Sequence, residues 1–552
     1  METETSITTN KTMQKRSTFL FLFLAAGICS LFAQGEVSKT WVADLGNGNY
    51  QNPILYADYS DPDVCRVGDD YYMTASSFNC VPGLPILHSK DMVNWQLIGH
   101  AIDRLKPDDL FSSPQHGNGV WAPSIRHHKG EFYIYYGDPD YGIYMLKAKD
   151  PAGKWSDPVL VKEGKGLIDS TPLWDDNGKA YLVYAYAGSR AGIKSVLNIA
   201  EMNEEGTKAI TPGRIIYDGH ADDPTIEGPK FYKKDGYYYI FAPAGGVATG
   251  WQTVLRSKNV YGPYERKVVM AQGKTAINGP HQGAWVDTPQ GEHWFYHFQD
   301  VGAMGRIVHL QPMTWKNDWP VIGADKDNDG CGEPVKTYRK PKAGGSHPII
   351  TPAESDSFGT SLLGLQWQWH ANPMDWWYFA DEGSKKLHLY SVPVSENYIN
   401  LWDVPNLLLQ KFPSNEFTAT AKLSFQPSAA IKGERTGLVI MGMDYGLLSL
   451  EKTDKGFVLS QNECINADKG SKESVNGSVT LSEATLYLRV KVTPDAKCLF
   501  SYSTDGTTYS VLGKPFQARE GKWIGAKVGF FCSRPVSNND GGRVSLDWFK
   551  ME

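Results

Sequence analysis

The sequence predicts an all-β protein, a five-bladed β-propeller followed by a β-sandwich. Three observations carry this. Five stretches share one build: residues 60–77, 121–138, 169–186, 227–244 and 282–299 each pass from a strand-like segment through a polar turn with glycine into an aromatic, β-rich strand. Their turn glycines, Gly68, Gly130, Gly178, Gly236 and Gly291, lie 62, 48, 58 and 55 residues apart. A strand-built repeat of roughly 50 residues is the mark of a propeller. Second, the segments 87–102, 146–161 and 255–270 share an apolar residue, Ser/Ala-Lys-Asp/Asn, a short turn, an aromatic and a new strand. Each unit therefore holds about four strands, as one blade requires. Third, past 350 the repeat gives way to alternating strands such as LHLYSV, FTATAKLSF, GLVIMGM, LYLRVKV and AKVGFFC, the pattern of a sandwich.

In chain order, Lys15 and Arg16 precede an apolar run at 19–28, and Ala33 offers a cleavage position. Residues 1–34 read as a secretory signal peptide, so the mature chain is expected to be exported, to the periplasm or beyond. Met13 offers an alternative start. Cys29 is a poor lipid-attachment site because Ile28 is bulky where a small residue is needed, and the run is short for a membrane span. Residues 36–335 are expected to form the propeller, with 36–55 supplying an edge strand that helps close the ring. A linker rich in Lys, Pro and Gly at 335–348 marks the boundary, and 350–552 form the sandwich. Its opening (356–373) and closing (544–552) segments are expected to pair as neighbouring strands. That would bring Asp356 and Asp547 together, where they could hold a structural calcium with backbone carbonyls; ordinary solvated turn acids are the competing reading.

The 552 residues exceed one ordinary core, so two or more domains are expected. A net charge of −6 and the lack of any basic run beyond the N-terminus argue against a nucleic-acid surface. Past the leader the cysteines are Cys65, Cys80, Cys331, Cys464, Cys498 and Cys532, without CxxC or His-rich spacing; this argues against zinc and leaves disulfides open. The 17 Trp, 29 Tyr and 22 Phe suit strand packing first and sugar stacking second.

Three hairpins carry an acid just ahead of them: Asp61, Asp169 and Glu227. The innermost strands of a propeller converge on one funnel, so these three would meet there. Converging carboxylates in a pocket are what glycosidic-bond hydrolysis needs. Singly, each also reads as a turn residue, Asp61 before Pro62, Asp169 before Ser170 and Glu227 before Gly228. Their matching positions favour a site, whereas Asp58, Asp63, Asp175, Asp222 and Asp223 fall off that register and read as structural.

The phrases YSDPDVCRVGDDYYM, GVWAPSI, IDSTPLWDDNGKAYLVY, IEGPKFYKKDGYYYIFAP and GRIVHLQPMTWKNDWPVIG occur in this order. In them the chain resembles glycoside hydrolase family 43 from about 50 to 552, and its sandwich resembles the concanavalin-like, jelly-roll domain of β-xylosidase and α-L-arabinofuranosidase members. The resemblance implies an inverting exo-glycosidase acting on arabinose or xylose residues of plant polysaccharides and their oligosaccharides. It implies Asp61 as general base, Glu227 as general acid and Asp169 as the carboxylate that tunes and orients the acid. Inversion needs such a base and acid on opposite faces of the sugar; Asp starts with the lower pKa and Glu with the higher. Phe78 and Trp121 would be apolar walls, and Arg306 would bind hydroxyls or pair with a carboxylate. The family's fifth-blade phrase resembles GHASLVET, with its His near a central cation; here GPHQGAWVDT puts Gln282 in the His place and His281 one earlier. Both are sugar-contact candidates, and the departure leaves a central metal open. No cofactor is expected for the chemistry. An α-L-arabinofuranosidase is the first expectation and a β-xylosidase, or a bifunctional enzyme, the second. A non-catalytic sugar-binding propeller and a retaining fructosidase-like enzyme are the readings from other classes. Oligomeric state is left open.

Overall fold

The computed structural model describes residues 1–2, 36–454 and 456–552. The leader expected at 1–34 lies, but for Met1 and Glu2, outside the described residues. Only 3% of the chain is helical. Five four-stranded sheets follow one another at 63–102, 121–163, 167–218, 230–271 and 285–322, each with its strands in consecutive order. These are five blades of a propeller. The turn glycines of the inner hairpins are all left-handed, with φ of 62, 81, 80, 80 and 79°, and a Cβ on any of them would meet nothing within 4 Å. Backbone conformation, and not space, requires glycine there.

Each neighbouring pair of blades shares one apolar cluster. Ile86 and Ile134 meet between blades one and two, Tyr135 and Leu182 between two and three, Val183 and Ile240 between three and four, and Phe241 and Phe295 between four and five. Trp95, Tyr71, Trp294 and Tyr296 close the ring between blades five and one. Of the edge strand expected from 36–55, Leu55 alone bridges to a blade, at Val308 of the fifth. Asn49–Gln51 pairs instead with Thr337–Arg339 as a separate ribbon, because every blade already has four strands of its own. Ring closure is reinforced just after it: Ile54 N donates to Val308 O at 2.8 Å. Asn52 donates to Leu310 O and Val335 O and accepts from Leu310 N, each at 2.8 Å.

The C-terminal part is a sandwich of two eight-stranded sheets, one built around Lys527–Arg534 and the other around Arg543–Met551 and Phe417–Gln426. Alternation along Phe417–Gln426 sends Phe417, Ala419, Ala421, Leu423 and Phe425 into the core. The opening and closing segments bridge at Asp356 and Phe549, which exchange two 2.8 Å backbone bonds, and Trp367 packs edge to face on Phe549. The opening segment then crosses over, and Gln368–Trp369 pairs in the other sheet. The calcium expectation at Asp356 and Asp547 is also corrected. Asp356 accepts from Phe358 N at 2.8 Å and Trp367 Nε1 at 2.9 Å. Asp547 stands 3.4 and 3.6 Å from the ammonium groups of Lys386 and Lys422, two cations that oppose a third. All six described cysteines are free thiols. Among the described residues no helix is long and apolar enough to cross a membrane.

Propeller and sandwich pack as one body. Val81 and Trp369 pair across the boundary, with Trp369 N donating to Val81 O at 2.6 Å. Asn79 donates to His370 O at 2.7 Å, Gly525 N to Asp58 at 3.1 Å and Ala526 N to Ala303 O at 2.8 Å. Because Asn52 is the side-chain partner of the buried Leu310 N–H and the part-buried Val335 carbonyl, while Leu310 O keeps the Tyr50 hydroxyl, Asn52→Ala should destabilise the protein by about 1–3 kcal/mol, the cost of an orphaned buried partner. A denaturation midpoint unchanged from wild type would show that the closure does not rest on it.

Candidate active site

The acids sit where the inner strands bend into the funnel. Asp61, Ala122, Asp169, Gly228 and Gln282 have φ of 54, 31, 58, 59 and 33°, so one left-handed residue marks the entry of every blade. In blades two and three the inner hairpin changes register at this bend, as a bulge does beside many active sites. The repeated bend defines equivalent positions, and it corrects one expectation. Asp61 and Asp169 are equivalent, but Glu227 lies one residue earlier, level with Trp121 and His281. That offset changes the direction of the side chain. Asp61 and Asp169 are 4% and 2% exposed, whereas the Glu227 side chain is 32% exposed.

Asp61 is held by three donors. Ser60 Oγ and Ser76 Oγ donate to its Oδ2 at 2.8 and 2.6 Å, and Arg306 Nη1 reaches Oδ1 at 3.1 Å and Oδ2 at 3.4 Å. The same Arg306 nitrogen donates to Ser60 Oγ at 2.9 Å. Burial opposes the guanidinium charge, but Asp61, Asp300, Asp58 and Glu227 outweigh it and leave Arg306 above its ordinary pKa. Asp169 Oδ2 accepts from Gly228 N at 2.7 Å and Gln282 Nε2 at 3.3 Å. It therefore grips the residue that follows Glu227. Burial, and then the charges of Glu227 and Asp61, push the Asp169 carboxyl well above the usual carboxylate range. Asp169 thus feels the charges of both Glu227 and Asp61.

The remaining expected contacts divide into two sets. Phe78 and Trp121 meet edge to face with centroids 6.2 Å apart, and Trp121 Nε1 donates to Gly117 O at 2.9 Å. The two rings thus pack on each other at the entry of blade two. Arg306 takes the carboxylate-pairing alternative. His281 and Gln282 are both buried and stand behind the acids: His281 Nε2 approaches Glu227 Oε1 to 3.3 Å without hydrogen-bond alignment, and Gln282 reaches Asp169. Gln282 thus braces a carboxyl. A central cation does not fit these residues either. The fully buried Lys230 ammonium, bonded to Pro123 O at 3.0 Å, already supplies positive charge to Asp63, Asp169 and Asp61.

Sequence reasoning missed four residues here. Ser60 and Lys230 lie inside quoted motifs, and Ser76 closes the first hairpin. The prolines also carried a usable signal: aligning Pro62, Pro123 and Pro229 exposes the one-residue offset of Glu227. Trp523 carried none. It comes from the sandwich, on a loop at 519–526, and its ring lies 6.3 Å from that of Trp121, with the Arg306 guanidinium 5.8 Å from its centroid. Asp300, Arg306, Glu520 and Trp523 line one pocket, walled by both domains.

Comparison with known proteins accords with this geometry. Residues 50–320 match the family model for glycosyl hydrolases family 43, and residues 355–552 that for the β-xylosidase C-terminal concanavalin A-like domain. The chain belongs to glycoside hydrolase family 43. A protein of Xylanibacter ruminicola that carries a provisional β-xylosidase name is 40% identical over 89% of this chain and 88% of its own. A non-reducing end α-L-arabinofuranosidase of Bacteroides ovatus is 30% identical over 92% and 96%. The solved xylan β-1,4-xylosidase of Bacillus halodurans superposes with a TM-score of 0.80 at 25% identity, over 91% of this chain and 99% of that one. This family 43 member is thus a glycoside hydrolase with both domains of its relatives.

The raised Asp169 carboxyl sets a pH dependence. A group whose pKa is higher folded than unfolded adds stability at acid pH and loses it as pH rises through the folded value. Asp169→Asn should therefore melt close to wild type near about pH 4 and progressively higher than wild type toward about pH 9. Parallel thermal melts across that range check it; a gap that narrows with rising pH would refute the burial argument.

Proposed function

We propose that this enzyme is an inverting exo-glycosidase that releases a terminal pentosyl residue from plant-derived oligosaccharides. β-D-xylosyl is the first substrate and α-L-arabinofuranosyl the second. The observation that carries the reading is the different exposure of the two reacting carboxyls. Asp61, walled in and fed by three hydrogen-bonding side chains, suits a base that holds one water. Glu227, the open member of the cluster, suits an acid that must reach a departing oxygen. Asp169 bonds the backbone beside Glu227 and positions it, while its own raised pKa keeps a proton in the pair's vicinity. Arg306 orients the base, and Trp121 with Trp523 forms aromatic surface on which a sugar ring can stack.

Xylose takes first place over the arabinofuranose expected from the sequence. The more similar of the two relatives described carries a β-xylosidase name, and the solved xylosidase shares both domains. The arabinofuranosidase relative keeps bifunctional cleavage as the second reading.

Aryl β-D-xyloside and aryl α-L-arabinofuranoside hydrolysis tests the assignment. Asp61→Ala should lower kcat on either by about 10²–10⁴-fold, the usual contribution of acid–base catalysis. Glu227→Ala should lose least on activated aryl glycosides and most on xylobiose, whose leaving group needs a proton. Product anomers followed by NMR should be inverted. An active Asp61/Glu227 double variant, or retained stereochemistry, would overturn the proposal.

A further inference from the structure

We propose that Asp58, which lies off the catalytic register, is a positioning residue of this site: one carboxylate that fixes both the Arg306–Asp61 pair and the sandwich loop carrying Trp523. The proposal rests on the functional reading above.

Asp58 is 3% exposed and stands three positions before Asp61. Its Oδ1 accepts from Arg306 N at 2.9 Å, and its Oδ2 from Gly525 N at 3.1 Å. Each oxygen thus holds one backbone amide, and the two amides belong to different domains. The surrounding packing makes this a seam without slack. Gly305, at φ +77°, lies so close that a Cβ on it would sit 2.6 Å from the Asp58 side chain. A Cβ on Gly525 would sit 2.8 Å from Gly305 N. Glycine on both sides lets the two backbones touch, and Ala526 N continues the seam to Ala303 O at 2.8 Å.

What the seam carries is the aromatic wall. Trp523 stands two residues before Gly525 in a left-handed conformation, φ 64°, which a bulky residue holds only when its surroundings impose it. On its other side, Lys522 and Trp523 press on Gly117, where a Cβ would approach Lys522 Cγ to 2.5 Å. The loop is clamped at both ends, and Asp58 is the charged clamp. A carboxylate binding two amides is stronger than neutral hydrogen bonds would be. Its charge also adds to those that keep Arg306 cationic, so the loop and the partner of Asp61 depend on one residue.

The test uses the full chain and five proteins: wild type, Asp58→Asn, Trp523→Ala, the double variant and Gly525→Ala. Asp58→Asn should raise KM for xylobiose about five- to tenfold, as should Trp523→Ala. The double variant should fall within about twofold of the worse single, because residues acting through one element are not additive. Gly525→Ala displaces the loop without altering Asp58 and should reproduce the rise in KM, which covers the case of an Asp58 variant that folds poorly. Hydrogen exchange read at 519–526 should quicken in Asp58→Asn. KM factors that multiply in the double variant, or a lower melting temperature with KM unmoved, would overturn the proposal. So would unchanged exchange in the loop. A wild type inactive on every glycoside, with quickened exchange in Asp58→Asn, would sink the functional reading and leave the clamp standing.

Discussion

The buried guanidinium of Arg306 is the charge on which the acid cluster depends. Two of the three carboxyl groups, Asp61 and Asp169, are buried, and in such surroundings like charges repel strongly and isolated ions are unfavourable. Arg306 sits against Asp61 and faces Asp300, Asp58 and Glu227, so its charge offsets most of that repulsion. Lys230 does the same from below, within reach of Asp63 and Asp169. The proton that burial favours on Asp169 removes part of the remaining negative charge. A cluster assembled in this way can keep one acid ionised and one protonated side by side, which is the condition for acid–base cleavage.

The geometry that delivers these groups is a property of the repeat. A left-handed bend at the entry of every blade turns the next residues into the funnel, and the identity of the residue at the bend, or just before it, decides what the funnel contains. Two blades place an aspartate on the bend, one places alanine, one glycine and one glutamine. The glutamate precedes its bend and leans outward. One structural device repeated five times thus produces two buried aspartates and one more exposed glutamate.

The sandwich has a part in the site as well as beside it. Its strand Gln368–Trp369 extends the boundary with blade one, and its loop at 519–526 puts an indole next to Trp121 and Arg306. The pocket lined by Asp300, Arg306, Glu520 and Trp523 therefore has walls from two domains.

Fold class, the number of blades and the three acids were legible in the amino-acid order, because each is a local pattern repeated. Glycines at left-handed turns, alternating apolar strands and acids ahead of hairpins leave marks within about twenty residues of one another. The family's motifs then assigned roles that a single blade could not. Tertiary structure alone decided the rest. The offset of Glu227 depends on which residue takes the left-handed bend. The bracing role of Gln282 depends on which side of the acids it occupies. Asp356 and Asp547 lost their metal to an indole, a backbone amide and two lysines, and Trp523 joined the site through a contact between domains. Each of these is a matter of direction or distance between segments remote in sequence, and a linear chain records neither until packing brings the segments together.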